Sequence, residues 1–213
     1  MQTLALIDYG SGNLRSAEKA LKEAARRRGV AADIVVTADP DRVAKADRVF
    51  LPGVGAFASC RAGLDASGVF EAMNEAVHQR GAPFMGICVG HQLLATEGLE
   101  FGVTPGLDWI GGQVKKLQPS DPSLTIPHMG WNAIAFSRAH ALFTGIEDGA
   151  HMYYANSFAL DAADPADVLA TSDHGGAFVA AVAKGNVAGV QFHPEKSQAA
   201  GLALLANFLE WRP

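Results

Sequence analysis

Pro83-Phe84-Met85-Gly86-Ile87-Cys88-Val89-Gly90-His91-Gln92 is the stretch that decides the fold. It begins as an apolar strand, Pro83 to Ile87, and continues after Cys88 as a helical pattern through Leu94. A chain that passes from strand to helix over one residue must turn sharply, and the flanking positions must be small to let the two arms pass. Gly86 and Gly90 meet that need. The pattern is a nucleophile elbow with cysteine where such elbows often carry serine. A sulfur at that turn lies near a helix N-terminus, where aligned N–H groups favour a thiolate. The N–H of Val89 can point at a developing oxyanion. Taken alone, the same residues fit a buried structural cysteine equally well.

Upstream of the elbow, strand and helix patterns alternate. Thr3 to Ile7 is a short apolar run, broken by Gly10-Ser11-Gly12-Asn13. Leu14, Ala17, Leu21 and Ala24 then recur at helical spacing. Asp33 to Val36 reads as a strand, and Asp39-Pro40 as an N-cap followed by proline at the first helical position. Arg48 to Leu51 is a third strand, and a helix is expected from about Ser59 to Gln79. Such alternation implies an α/β fold whose mostly parallel central sheet is flanked by helices. From Trp109 the segments become short, glycine-rich and strand-like. Ala177 to Ala183 and Val187 to Phe192 read as a hairpin turning at Lys184-Gly185-Asn186, and a helix runs from about Ser197 to Trp211. The change near residue 105 reads as an antiparallel extension of one sheet, so residues 1–213 are expected to form a single domain.

Composition narrows the function. With 213 residues, 49% apolar and 18% charged, the chain can bury a core and is not disordered. Seventeen basic against 22 acidic residues, a net charge of -5, argues against a broad nucleic-acid-binding face. No apolar run is long enough to span a membrane, and the N-terminus lacks the basic region of a signal peptide. Two cysteines, Cys60 and Cys88, in different contexts fit a reduced, cytoplasmic setting better than a disulfide framework. Cys60 has no elbow around it and reads as a small core or surface residue.

A cysteine nucleophile needs a base, and the base needs a partner. Gln191-Phe192-His193-Pro194-Glu195 supplies both. Proline biases the residue before it toward extended geometry, and residues two apart on an extended chain point the same way. His193 and Glu195 should therefore project together, leaving one imidazole nitrogen for the thiol. Leu51-Pro52-Gly53-Val54-Gly55 ends the third strand, and its glycines free the backbone to offer a second oxyanion donor from Gly53-Val54. Gly10-Ser11-Gly12-Asn13-Leu14-Arg15 lacks the third glycine of a dinucleotide loop, so no nucleotide cofactor is expected. His78 lies on a polar helix face, while His140, His151 and His174 flank loops and read as solvated. No metal-ligand spacing is present.

Together, the cysteine elbow, the His-Pro-Glu segment and the Pro-Gly-Val-Gly loop resemble the class I (triad) glutamine amidotransferases. Ile7-Asp8-Tyr9-Gly10-Ser11-Gly12-Asn13-Leu14-Arg15-Ser16, Ile126-Pro127-His128-Met129-Gly130-Trp131-Asn132 and Gln191 to Gln198 resemble, more narrowly, the glutaminase subunits of imidazole glycerol phosphate synthase. The resemblance covers essentially the whole chain. It implies the flavodoxin-like fold of that family, with Cys88 attacking L-glutamine, His193 shuttling protons and Glu195 orienting it. Val54 and Val89 would form the oxyanion hole. Gly53, Gly55, Gln92, Ser157 and Phe158 would bind glutamine. Asn13, Trp131 and Lys196 would face a separate cyclase partner, a TIM barrel, in a heterodimer that uses the ammonia and no cofactor. Two departures stand out: His91 replaces a usual methionine, and Tyr154-Ala155-Asn156-Ser157-Phe158 replaces a pattern nearer Phe-Val-His-Ser-Tyr. A chorismate-using glutaminase, or a sensor thiol on a flavodoxin-like module, are the competing readings. Under the first reading, glutamine turnover should be slow until the partner's acceptor site is filled.

Overall fold

The computed structural model describes all 213 residues. Fourteen strands and six α-helices make up the chain. In chain order the strands are β1 (Gln2–Ile7), β2 (Ala32–Thr37), β3 (Arg48–Gly53), β4 (Phe84–Cys88), β5 (Glu97–Gly98), β6 (Thr104–Pro105) and β7 (Gly112–Lys116). Then come β8 (His128–Ala133), β9 (Ala135–Phe136), β10 (His151–Asn156), β11 (Phe158–Ala162), β12 (Val168–Asp173), β13 (Ala177–Lys184) and β14 (Val187–Val190). The helices are α1 (Leu14–Arg28), α2 (Pro40–Lys45), α3 (Phe57–Ser67), α4 (Phe70–Asn74), α5 (Val89–Gln92) and α6 (Gln198–Glu210). Strands alternate with helical segments as far as α5, and β5 to β14 then follow with no α-helix between them.

The main sheet runs β2-β1-β3-β4-β14-β13-β12-β9. Its first five strands are parallel, and β13, β12 and β9 extend it antiparallel. The expected extension is therefore present, but not all of the later strands join it. β11-β7-β5-β6 form a second sheet, and β8 pairs with β10 as a two-stranded ribbon. The cause lies just after the elbow. Residues 106–110 fold back on it, with the Leu107 N–H on the Leu93 carbonyl at 2.7 Å and the Ile110 N–H on the Leu94 carbonyl at 3.0 Å. The strand that follows is thereby led away from the main sheet.

Local sequence explains the element ends. Asp39 caps α2 by accepting from the Asp41 N–H at 3.0 Å, with Pro40 in the first turn. The helix expected over residues 59–79 is broken: Gly68 adopts φ 71° and ends α3, and a π-helical turn, Glu75–Gln79, follows α4. β14 stops at Val190, short of Phe192, because its parallel partner β4 turns away at Cys88. His151 is exposed as expected, and His78 is exposed with its ring edge against Trp109. His140 and His174 are half-buried rather than solvated, because they pack on aromatic neighbours. The His174 ring stacks on His128 at 4.2 Å, and His140 lies 5.5 Å from Trp211.

One contiguous core of 61 buried residues unites the sheet and the helices on its faces. Within it, α5 packs directly under β14. A Cβ added to Gly189 would come within 2.6 Å of His91 Nδ1. His91 is fully buried, and neither ring nitrogen has a hydrogen-bond partner. Burial disfavours the imidazolium and pushes its pKa down to about 3.

Replacing this ring by the methionine usual in the resembling subunits removes an unmet buried polar group. Such groups cost about 1–3 kcal/mol. His91→Met is expected to raise stability at pH 7 by about 1 kcal/mol in urea unfolding. The depressed pKa also makes the wild-type fold lose stability as pH falls from about 6.5 toward 3, since only the unfolded chain then takes up the proton. The variant should lose less between pH 7 and pH 5. A variant less stable than wild type at pH 7 would contradict this account.

Candidate active site

Three strand ends meet at one edge of the sheet. Gly53, at the end of β3, is in register with Cys88, at the end of β4. Val190, at the end of β14, is in register with Ile87, so Gln191 to His193 emerge beside the elbow. Cys88 has φ 54° and ψ -110°, a positive-φ conformation rare for a side-chain-bearing residue. The turn is possible because the flanking backbones touch. A Cβ on Gly90 would overlap the Leu51 carbonyl, and one on Gly86 would overlap the Gly90 carbonyl. The helix after the turn, α5, spans only four residues, so aligned peptide dipoles give the sulfur little support.

His193 and Glu195 meet as expected, with Nδ1 to Oε1 at 2.8 Å and both side chains nearly excluded from solvent. They do so across a tight 3-10 turn, Pro194–Lys196, rather than along an extended strand. Ser197 holds this turn: its hydroxyl donates to the His193 carbonyl at 2.7 Å and accepts from the Tyr153 N–H at 3.0 Å. A carboxylate only accepts, so Nδ1 carries the proton and Nε2 remains for Cys88. Burial works against the imidazolium. The hydrogen bonds and negative charges of Cys88 and Glu195 outweigh it, and the His193 pKa rises to about 9.

Cys88 and His193 open into a cavity of about 310 Å³ that is also lined by Val54, Gly55, Val89, Gln92, Ser157 and Phe158. Gly53 lies beside it through its register with Cys88. Glu100, Pro127, Ala155, Asn156 and Lys196 complete the lining; Asn156 falls in the segment whose departures the sequence placed near the glutamine pocket, whereas no local pattern singles out Glu100 as a binding residue. Glu100 accepts from the Phe57 N–H at 2.8 Å. Lys196 reaches the mouth of the cavity, 5.4 Å over the Tyr153 ring, and Trp131 meets that ring edge-on at 6.0 Å. Asn13 borders a crevice behind His193 and Glu195. A concavity of about 400 Å³ lies elsewhere, between β7, β11 and β13, and neither cysteine lines it.

The Val54 N–H is engaged in this structure. It donates to Ser11 Oγ at 3.3 Å, while the Val54 carbonyl accepts from Ser11 Oγ at 2.7 Å and from Cys60 Sγ at 3.4 Å. Cys60 is therefore a buried residue that anchors the loop. Tyr9 holds the same loop from below through its hydroxyl on the Pro52 carbonyl at 2.8 Å; burial pushes its phenol well above the usual range.

The chain belongs to the class-I glutamine amidotransferase family, whose model matches residues 5–211. Within that family it belongs with the imidazole glycerol phosphate synthase subunit HisH. It is 84% identical over 213 residues to the Caulobacter vibrioides protein of that name, covering all of both chains. It is 59% identical to the Rhodospirillum rubrum protein over 212 residues, 99% of each. Among solved structures, a glutamine amidotransferase shares the fold with a TM-score of 0.69 at 19% identity, over 97% of each chain. A glutamine amidotransferase from Thermotoga maritima matches with a TM-score of 0.61 at 17% identity, over 91% of this chain and 76% of that one.

The raised His193 pKa gives a pH signature. A group whose folded pKa exceeds its unfolded value, near 6.5, stabilises the fold at low pH and loses that contribution as pH rises toward 9. Glu195→Gln removes one of the two charges that hold the imidazolium. The His193 titration midpoint, followed by NMR, should fall, and unfolding free energy should decline less between pH 7 and about 9 than in wild type. Glutamine hydrolysis should drop roughly 100-fold or more. An unmoved midpoint would rule out Glu195 as the orienting carboxylate.

Proposed function

We propose that the chain hydrolyses L-glutamine to glutamate and ammonia through Cys88, His193 and Glu195, and passes the ammonia to the cyclase subunit of imidazole glycerol phosphate synthase in histidine biosynthesis. The observation that carries this reading is the strained elbow cysteine sharing one small cavity with His193, whose ring is held from behind by the buried Glu195 carboxylate.

With the His193 pKa at about 9, the resting site at neutral pH holds an imidazolium beside Cys88. The sulfur attacks the side-chain carbonyl carbon of glutamine. His193 then gives its Nε2 proton to the departing nitrogen, which leaves as ammonia, and a glutamyl thioester remains. Neutral His193 takes a proton from water as that water attacks the thioester. Collapse expels the Cys88 thiolate and releases the γ-carboxylic acid, which gives its proton to solvent to become glutamate, and the site returns to thiolate and imidazolium. The oxyanion formed in both steps faces the Val89 N–H. A second donor, the Val54 N–H, becomes free only when it leaves Ser11. That requirement supports a glutaminase that turns over slowly until its partner and acceptor are bound.

Trp131, Lys196 and Asn13 are exposed, and on this reading they would meet the partner, a TIM barrel in a heterodimer. The single core supports one glutaminase domain. No helix is long and apolar enough to cross a membrane, and two free cysteines fit a cytoplasmic enzyme.

Co-purification with the candidate cyclase, followed by paired assays, tests the assignment. Cys88→Ala should abolish synthesis from glutamine and leave synthesis from added ammonia near the wild-type rate. Loss of both activities, or stimulation of glutamate release only by a chorismate-using synthase, would overturn it.

A further inference from the structure

Gln191 carries no role in the scheme above, yet its side chain is fully buried against the nucleophile. Its Nε2 donates to Cys88 Sγ at 3.8 Å. Its Oε1 accepts from Gln92 Nε2 at 3.0 Å, and Gln92 Nε2 also donates to the Phe158 carbonyl at 2.9 Å. The Asn156 side-chain amide donates to that same carbonyl at 3.0 Å.

The direction of this relay follows from its far end. A backbone carbonyl only accepts, so Gln92 must turn its NH2 group toward Phe158. Gln191 must then present its oxygen to Gln92, which leaves its own NH2 group facing the sulfur. The main chain fixes the near end. The Gln191 N–H bonds to the Ala180 carbonyl at 2.8 Å, and β14 carries the residue into register beside Cys88.

We propose that Gln191 is a positioning residue for the nucleophile: its amide holds the Cys88 sulfur, favours its ionised form, and ties it through Gln92 to the Phe158 wall of the glutamine pocket. The physical reason is differential. A neutral thiol is a poor acceptor, and a buried amide N–H facing it is under-satisfied. A thiolate is a charged acceptor, and the same N–H then makes a charge-assisted bond. The donor therefore lowers the free energy of the ionised sulfur more than that of the thiol. The titratable groups around the sulfur are His193, with Glu195 behind it, and Glu100 and Lys196 across the same cavity, while Tyr9 lies beneath the β3 loop with its hydroxyl on the Pro52 carbonyl. Gln191 is the neutral member of the set, so its removal changes hydrogen bonding without changing the net charge.

The inference rests on Cys88 being the nucleophile, and the test separates the two. In the complex with the cyclase, Gln191→Met keeps the volume and deletes the amide, and Gln191→Leu is a second apolar replacement. The expected result is a kcat for glutamine hydrolysis lowered about 10- to 100-fold, with KM changed less than about threefold. The midpoint of the pH–rate curve for Cys88 alkylation by iodoacetamide should rise by about one unit. Ammonia-dependent synthesis should stay at the wild-type rate, reporting an intact assembly. An unmoved alkylation midpoint in whichever variant assembles overturns the proposal, and so does alkylation slowed equally at every pH, which marks packing alone. Failure of an electrophilic glutamine analogue to label wild-type Cys88 would instead overturn the nucleophile assignment.

Discussion

The contact between two backbones at the ends of β3 and β4 is the constraint on which the site depends. A side chain on Gly53 would come within 2.6 Å of the Gly90 nitrogen and 2.9 Å of the Tyr9 hydroxyl, and one on Gly90 would overlap the Leu51 carbonyl. With nothing between them, the β3 loop and the elbow stay in register, and Gly53 sits opposite Cys88. The proposed oxyanion loop, nucleophile and base thus come from the ends of three neighbouring parallel strands rather than from any continuous segment. Cys88 accepts a positive φ because the packing on both sides leaves its backbone no relaxed alternative.

Electrostatics then sets the chemistry. The site is almost closed to solvent, which alone would keep His193 neutral. Two acidic neighbours reverse that outcome, and the imidazolium lies between sulfur and carboxylate. His91, only three residues from the nucleophile, shows the contrast. It is buried without a partner, and its proton affinity falls instead of rising. The same side chain in the same protein holds its proton more or less tightly according to whether acidic neighbours, here Cys88 and Glu195, reach it.

Much of this is legible in the sequence for local reasons. The elbow is written in Gly86, Cys88 and Gly90, because a sharp strand-to-helix turn tolerates few residue types. The pairing of His193 with Glu195 follows from their spacing about Pro194, although the turn between them is tighter than an extended strand. Gly68 does not announce itself as a helix breaker, because helical periodicity continues on either side of it. The burial of His140 and His174 leaves no local trace, because their covering partners, Trp211 and His128, are remote in sequence. The buried donor on Cys88 is equally silent, because Gln191 differs from any solvated glutamine only through what surrounds it.

The sequence by itself determined the α/β class, the elbow, the base and its carboxylate, since each is set by residues within a few positions of one another. Only the tertiary structure decided the three-sheet arrangement, the engagement of the Val54 N–H by Ser11, the Glu100 wall and the Gln191–Gln92–Phe158 relay. The last three of these join residues from 43 to 103 positions apart, such as Ser11 to Val54 and Cys88 to Gln191. Hydrogen bonds at such separations depend on strand order and register, and these are fixed by the packing of the whole core rather than by any local pattern.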